Sequence, residues 1–187
     1  MADKLRVAIT PEAILPDEAR RVALLLDARW DFVHLRHPGA SRRDMLNLIK
    51  SIPQCYHSRL RLHGHFDLAA EFNLGGLHLN GRCPEPPACY SGSLSKTCHS
   101  IAEVAEARGM DYVTLSPVFD SVSKPGYRAS FDAAAIELPA GVRVLALGGV
   151  TPENVGRLDR FAGYAVLGSA GWTLSVEDMA RQISLFR

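Results

Sequence analysis

Short apolar or β-branched runs alternate along the chain with stretches whose apolar residues recur at helical spacing. The runs predict strands over 5–10, 31–36, 59–63, 76–80, 93–98, 112–117, 142–148 and 164–168. Between most of them the pattern predicts helices, over 16–29, 41–51, 66–73, 101–108, 131–138, 152–161 and 176–186. Ser41, Ser130 and Thr151-Pro152-Glu153 supply start signals, the last with proline at the first helical position, where no amide donor is needed. Residues 81–92 break the alternation, because Pro84, Pro86 and Pro87 lack amide hydrogens and disfavour a regular helix. The fourth crossover is therefore expected to be a loop.

Eight strands joined mostly by helices predict a closed (β/α)8 TIM barrel, since open doubly wound sheets generally have about five or six strands. At 187 residues the chain is shorter than the ~250 typical of that barrel, so helices and loops must be trimmed into one compact domain spanning 1–187. An apolar content of 47% suffices for one well-filled core. The net charge of +1, with no block of like charges, makes nucleic acid an unexpected partner. No apolar run reaches membrane-spanning length and no signal-like segment opens the chain, so a cytoplasmic protein without membrane attachment is expected. Cys55, Cys83, Cys89 and Cys98 are expected to be reduced thiols, because a core of this size needs no disulfide framework.

In such a barrel the C-terminal strand ends and the loops that follow line the site. Those positions are polar: His34 and Arg36, His63, His78 and Asn80, His99, Ser121, Ser123 and Lys124, Gly148-Gly149, and Gly168-Ser169. Gly148-Gly149 alone fits a tight strand-to-helix turn. Followed by Gly168-Ser169 one strand later, it points instead to a phosphate approached by backbone N–H groups. His99 stands where an imidazole could move a proton, and a helix-capping or packing role fits that position equally well. Cys98, adjacent to His99, should face the other side of its strand, which argues against a Cys-His nucleophilic pair. His34 and Arg36 share a face; Arg36 suits either an anionic substrate group or a neighbouring carboxylate. Lys124 sits in an exposed Ser, Lys, Pro and Gly loop that reads as a solvated lid or a ligand clamp. The histidines show no CxxC, HxxxH or HExxH spacing and lie on different elements, so no metal site is expected.

In this order the segments resemble the thiamin phosphate synthase and TenI family over nearly the whole chain. The resemblance rests on Val33-His34-Leu35-Arg36, on Phe66-Asp67-Leu68-Ala69 followed by Gly75-Gly76-Leu77-His78-Leu79, and on Thr97-Cys98-His99-Ser100. It continues through Asp111-Tyr112-Val113, Ser116-Pro117-Val118-Phe119, Ser123-Lys124-Pro125-Gly126 and Ala146-Leu147-Gly148-Gly149-Val150-Thr151. It implies the (β/α)8 fold and a phosphorylated thiazole as small-molecule ligand, with its phosphate at Gly149 and Gly168-Ser169 and its ring near His34, Arg36 and His63. Oligomeric state is left open, a homo-oligomer being one option.

Synthase members join this thiazole to a pyrimidine diphosphate with Mg²⁺ held by acids after strands 3 and 4. Those positions fall on His63, Gly64, Gly81 and Arg82. TenI members instead move a proton to aromatise a carboxylated thiazole phosphate, and carry a glycine at Gly64 and a histidine at His34. Their proton-transferring histidine falls on His99. The resemblance thus favours a thiazole tautomerase needing no cofactor, with His99 and His34 as catalytic residues. A divergent synthase using Mg²⁺ is the alternative, in which Ser121, Ser123 and Lys124 grip diphosphate and Arg82 replaces part of the metal charge. A non-catalytic thiazole phosphate or thiamin phosphate binding module is the third reading.

Overall fold

The protein is described by a computed structural model covering residues 4–120 and 129–186. Eight parallel strands close into a barrel in sequence order: β1 (Leu5–Ile9), β2 (Phe32–Leu35), β3 (Leu60–Leu62), β4 (Gly76–Leu79), β5 (Ser93–Cys98), β6 (Tyr112–Leu115), β7 (Val144–Leu147) and β8 (Gly163–Val166). β8 returns to β1 in parallel register, with Val7 opposite Ala165. Among the described residues five α-helices lie outside: α1 (Glu18–Asp27), α2 (Arg42–Ser51), α3 (Asp67–Glu71), α4 (Ile101–Glu106) and α5 (Val176–Ser184). No helix among the described residues is long and apolar enough to cross a membrane.

Helix starts follow side-chain chemistry. Ser41 and Asp44 form a reciprocal capping box at α2, while Ser100 and Ser175 each accept an amide N–H three residues ahead at α4 and α5. The helical stripes then bury Val22, Leu25 and Leu26 of α1, Met45, Leu48 and Ile49 of α2, and Met179 and Ile183 of α5 against the barrel wall.

Two expected helices are corrected. The 131–138 segment forms turns around Asp132, whose carbonyl accepts from Ala135 and Ile136. Pro139 and Gly141 close it before a stable helix can nucleate. The 152–161 segment yields only a 3₁₀ turn, Val155–Arg157. Its buried residues, Val155, Leu158 and Phe161, are spaced by three, the period of the tighter helix, and Gly156 lies among them. A further 3₁₀ segment, Gln54–Arg59, takes the place of the expected start of β3. Residues 81–92 contain no helix, as their prolines predict.

Candidate functional site at the C-terminal rim

Side chains alternate across a strand, so one residue in two along each barrel strand points inward. On β1, β7 and β8 the inward set is apolar: Val7, Ile9, Leu145 and Ala165 form a small core separate from the large one beneath the helices. On β2 to β6 it is polar, with His34, Arg61, His78, Ser95, Tyr112 and Thr114 all buried. Half of the barrel interior is thus a hydrogen-bonded network.

Three imidazoles lie at its centre. His34 Nδ1 is 2.9 Å from His63 Nε2, and His34 Nε2 is 2.6 Å from the Tyr112 hydroxyl. His78 meets Ser95 Oγ and Thr97 Oγ1, each at 2.8 Å. The rings of His63 and His78 stack at 4.3 Å, and that of His34 lies 5.0 and 4.7 Å from them. Burial, reinforced by the neighbouring imidazoles and cationic arginines, holds His34 and His63 well below the usual histidine range. Burial and then Arg61 push His78 down to about 3. The Tyr112 hydroxyl is pushed up to about 12, chiefly by burial. At neutral pH the cluster is therefore uncharged, while Arg61 beside it stacks on Phe32 at 4.2 Å.

His34 is fully buried with both ring nitrogens engaged, so the expectation that it faces a ligand at the rim is corrected. Half-buried His63 stands between it and the outside. The histidines do lie on different elements, but those elements are β2, β4 and the end of β3, neighbouring strands whose parallel pairing brings them together. Among the described residues they form the only group of three or more His, Cys, Asp or Glu side chains close enough to share an ion.

Beyond this cluster, exposed His99 follows β5. Its Nδ1 donates to the Ser116 carbonyl at 3.1 Å, which leaves Nε2 as the basic nitrogen, and its backbone N–H donates to Glu103. Ser116 also borders the next loop: a Cβ on Gly148 would stand 3.2 Å from Ser116 Oγ. His99 and Gly148 are thus brought together across the end of β6. Gly148 and Gly149 have φ of +92° and +65°. A Cβ on Gly149 would collide with the Asp120 carbonyl, so glycine is dictated there by the close pass of the preceding loop.

The loops after β7 and β8 are tied together. Ser169 Oγ donates to the Val150 carbonyl at 2.6 Å, and Asn154 donates to that of Gly149 at 2.8 Å. Gly168–Ala170 forms a single 3₁₀ turn. Among the described residues, the N–H groups of Gly149 and Ser169 enter no hydrogen bond. Arg36 pairs with Glu12 at 3.2 Å, and its backbone N–H donates to Thr10, itself held by a buried His37–Glu18 pair at 2.7 Å. Ser121, Ser123 and Lys124 lie outside the described residues. Cys98 faces the outer core as expected, its thiol pushed up to about 11 mainly by burial.

Mg²⁺ needs a shell of oxygen donors, usually including carboxylates. The ends of β3 and β4 present His63, Gly64, Asn80, Gly81 and Arg82. The side-chain oxygen among them, Asn80 Oδ1, already accepts from the backbone N–H groups of Arg82 and Cys83, while its amide nitrogen donates to the His63 and His78 carbonyls. These residues do not fit that ion. A separate groove between α1 and α2, lined by Ile14, Ala23, Asn47 and Leu48 among others, lies on the outer wall, away from this chemistry.

The family model described as thiamine monophosphate synthase matches residues 7–167. Thiamine-phosphate synthase of Saccharophagus degradans is 28% identical over 174 residues, covering 81% of this chain and 77% of that one. The Chlorobium luteolum protein of the same name is 29% identical over 173 residues, covering 82% and 79%. Among solved structures, thiamine phosphate pyrophosphorylase from Bacteroides thetaiotaomicron superposes with a TM-score of 0.76 at 27% identity, covering 97% of this chain and 96% of that one.

Proposed function

The chain belongs to the thiamine monophosphate synthase family, and on that premise we propose that it is a cytoplasmic enzyme of thiamin biosynthesis acting on a phosphorylated thiazole. The phosphate sits against the N–H groups of Gly149 and Gly168-Ser169, where two tied loops keep donors in place. Arg36 and His63 line the ring side, and Arg36 exchanges Glu12 for an anionic group of the ligand. The reaction is a Mg²⁺-independent proton transfer of the tautomerase kind. His99 accepts the proton on Nε2 and returns it, its ring fixed by the Ser116 carbonyl. His34 acts one layer deeper, orienting His63. The observation that carries this reading is the carboxylate-free donor set at the ends of β3 and β4.

A second reading is favoured by the names of the relatives: thiamin phosphate formation from the thiazole and a pyrimidine diphosphate. In that case Arg82, exposed after β4, supplies charge that a metal supplies elsewhere, and Ser121, Ser123 and Lys124 grip the diphosphate. Incubating the protein with each substrate set, with and without Mg²⁺, separates the readings. Aromatic thiazole formed without Mg²⁺ supports the first, and Mg²⁺-dependent thiamin phosphate supports the second. Tight thiazole phosphate binding with neither product leaves a binding module.

A further inference from the structure

We propose that His34, His63 and His78 form a binding site for one borderline transition-metal ion, such as Zn²⁺ or Co²⁺, with a free coordination position toward the rim. One nitrogen from each ring lies within 4.8 Å of the other two. Nitrogens bound to one zinc at ~2.0–2.1 Å stand about 3.4 Å apart at the tetrahedral angle. Admitting an ion therefore opens the 2.9 Å contact between His34 and His63 by about half an ångström and draws the His78 nitrogen, within 4.8 Å of the other two, inward by up to about 1.4 Å. The site does not depend on the thiazole reading.

Three further features suit metal ligation. Two of the three remaining nitrogens are held: His34 Nε2 by the Tyr112 hydroxyl, and that of His78 by whichever of Ser95 and Thr97 it keeps. Such outer partners fix ring orientation in histidine metal sites. The ligands are all imidazoles, which select zinc, cobalt, nickel or copper over Mg²⁺. His34 and His78 are fully buried while His63 is half-buried, so the coordination left open by three ligands lies on the His63 side, where water or a ligand anion can enter. Arg61, also buried nearby, opposes a bare dication and favours one that carries hydroxide or an anion in that fourth position.

The test uses the full chain, stripped with chelator and titrated with Co²⁺ and then Zn²⁺. The expected result is one Co²⁺ per chain with the intense visible absorption of a four- or five-coordinate ion, displaced by Zn²⁺ and unaffected by Mg²⁺. At about a hundred times Kd, Zn²⁺ should raise Tm by about 5–10 °C. His63→Gln, at the half-buried ligand, should weaken binding at least about tenfold. His65→Gln, whose ring hydrogen-bonds only the Ala40 carbonyl among the described residues, should not change it. Absence of the cobalt bands, or bands undiminished in His63→Gln, would overturn the proposal and leave the cluster as a hydrogen-bonded chain of neutral imidazoles.

Discussion

His99 keeps its proton on Nδ1 because the Ser116 carbonyl accepts it, and so offers Nε2 to a ligand. Removing an acid–base group typically lowers the rate about 10²–10⁴-fold while leaving binding nearly intact. His99→Asn should show that split, with calorimetric affinity for thiazole phosphate within a few-fold of the parent. Gly149 is unsuited to a matching test of the phosphate cup, because any Cβ there strikes the Asp120 backbone and reports on folding. Gly168 is exposed and has no positive φ. Gly168→Asp should place a carboxylate in the cup and lower phosphate affinity about tenfold or more, as measured by calorimetry. Undiminished affinity would put the phosphate elsewhere. The buried histidines make a separate prediction. A histidine whose folded pKa lies below its unfolded value costs no stability above about pH 6.5, where both states are neutral. As pH falls toward about 3 for His78, the unfolded chain gains a proton that the folded chain refuses, and stability drops. In chelator, urea unfolding of the parent between pH 7 and 5.5 should fall more steeply than that of His78→Gln, by up to about 1.4 kcal/mol per pH unit. Equal slopes would mean that His78 titrates normally. His78, His99 and the glycine loops were legible because they end strands, whereas Ser95 and Tyr112, at or near the starts of theirs, carried no such signal. The signal available for them was a polar residue at alternate positions on five successive strands, as in Ser95 and Thr97 or Tyr112 and Thr114.

Helices with an N-terminal serine cap matched their sequence patterns to within about two residues at the start, since the cap and the apolar stripe mark the same boundary. Where the two signals disagreed, the pattern misled. Ser130 precedes only a short alanine-rich stretch closed by Pro139, and the apolar residues after Thr151 recur at intervals of three. Packing then selects turns and a 3₁₀ segment, which cover β7 and β8 with less chain than α-helices would use. The Ser41–Asp44 box is exposed and its side chains bond each other rather than any proposed site residue, so Ser41→Ala should cost about 0.5–2 kcal/mol in urea unfolding without altering turnover. A turnover loss larger than the stability loss explains would show that α2 positions the site.

The eight-strand count made the barrel legible at the scale of the whole molecule, because eight parallel strands with short connections have few other closed arrangements. The division of its interior was not legible. That division depends on which face of each strand turns inward, a property of closure that no single segment carries. One arc, from β2 to β4, stacks neutral imidazoles beneath an opening without carboxylates; the other, from β5 to β8, sets a basic histidine beside two tied glycine loops. On the tautomerase reading, this second arc moves a proton on a phosphorylated thiazole without Mg²⁺. The most direct measurement follows aromatisation of the carboxylated thiazole phosphate by its ultraviolet absorbance, with Mg²⁺ withheld, for the parent and His99→Asn. The tautomerase reading predicts turnover by the parent and at least about a hundredfold less by the variant. No turnover by the parent, together with thiamin phosphate formation once Mg²⁺ and the pyrimidine diphosphate are supplied, would contradict it.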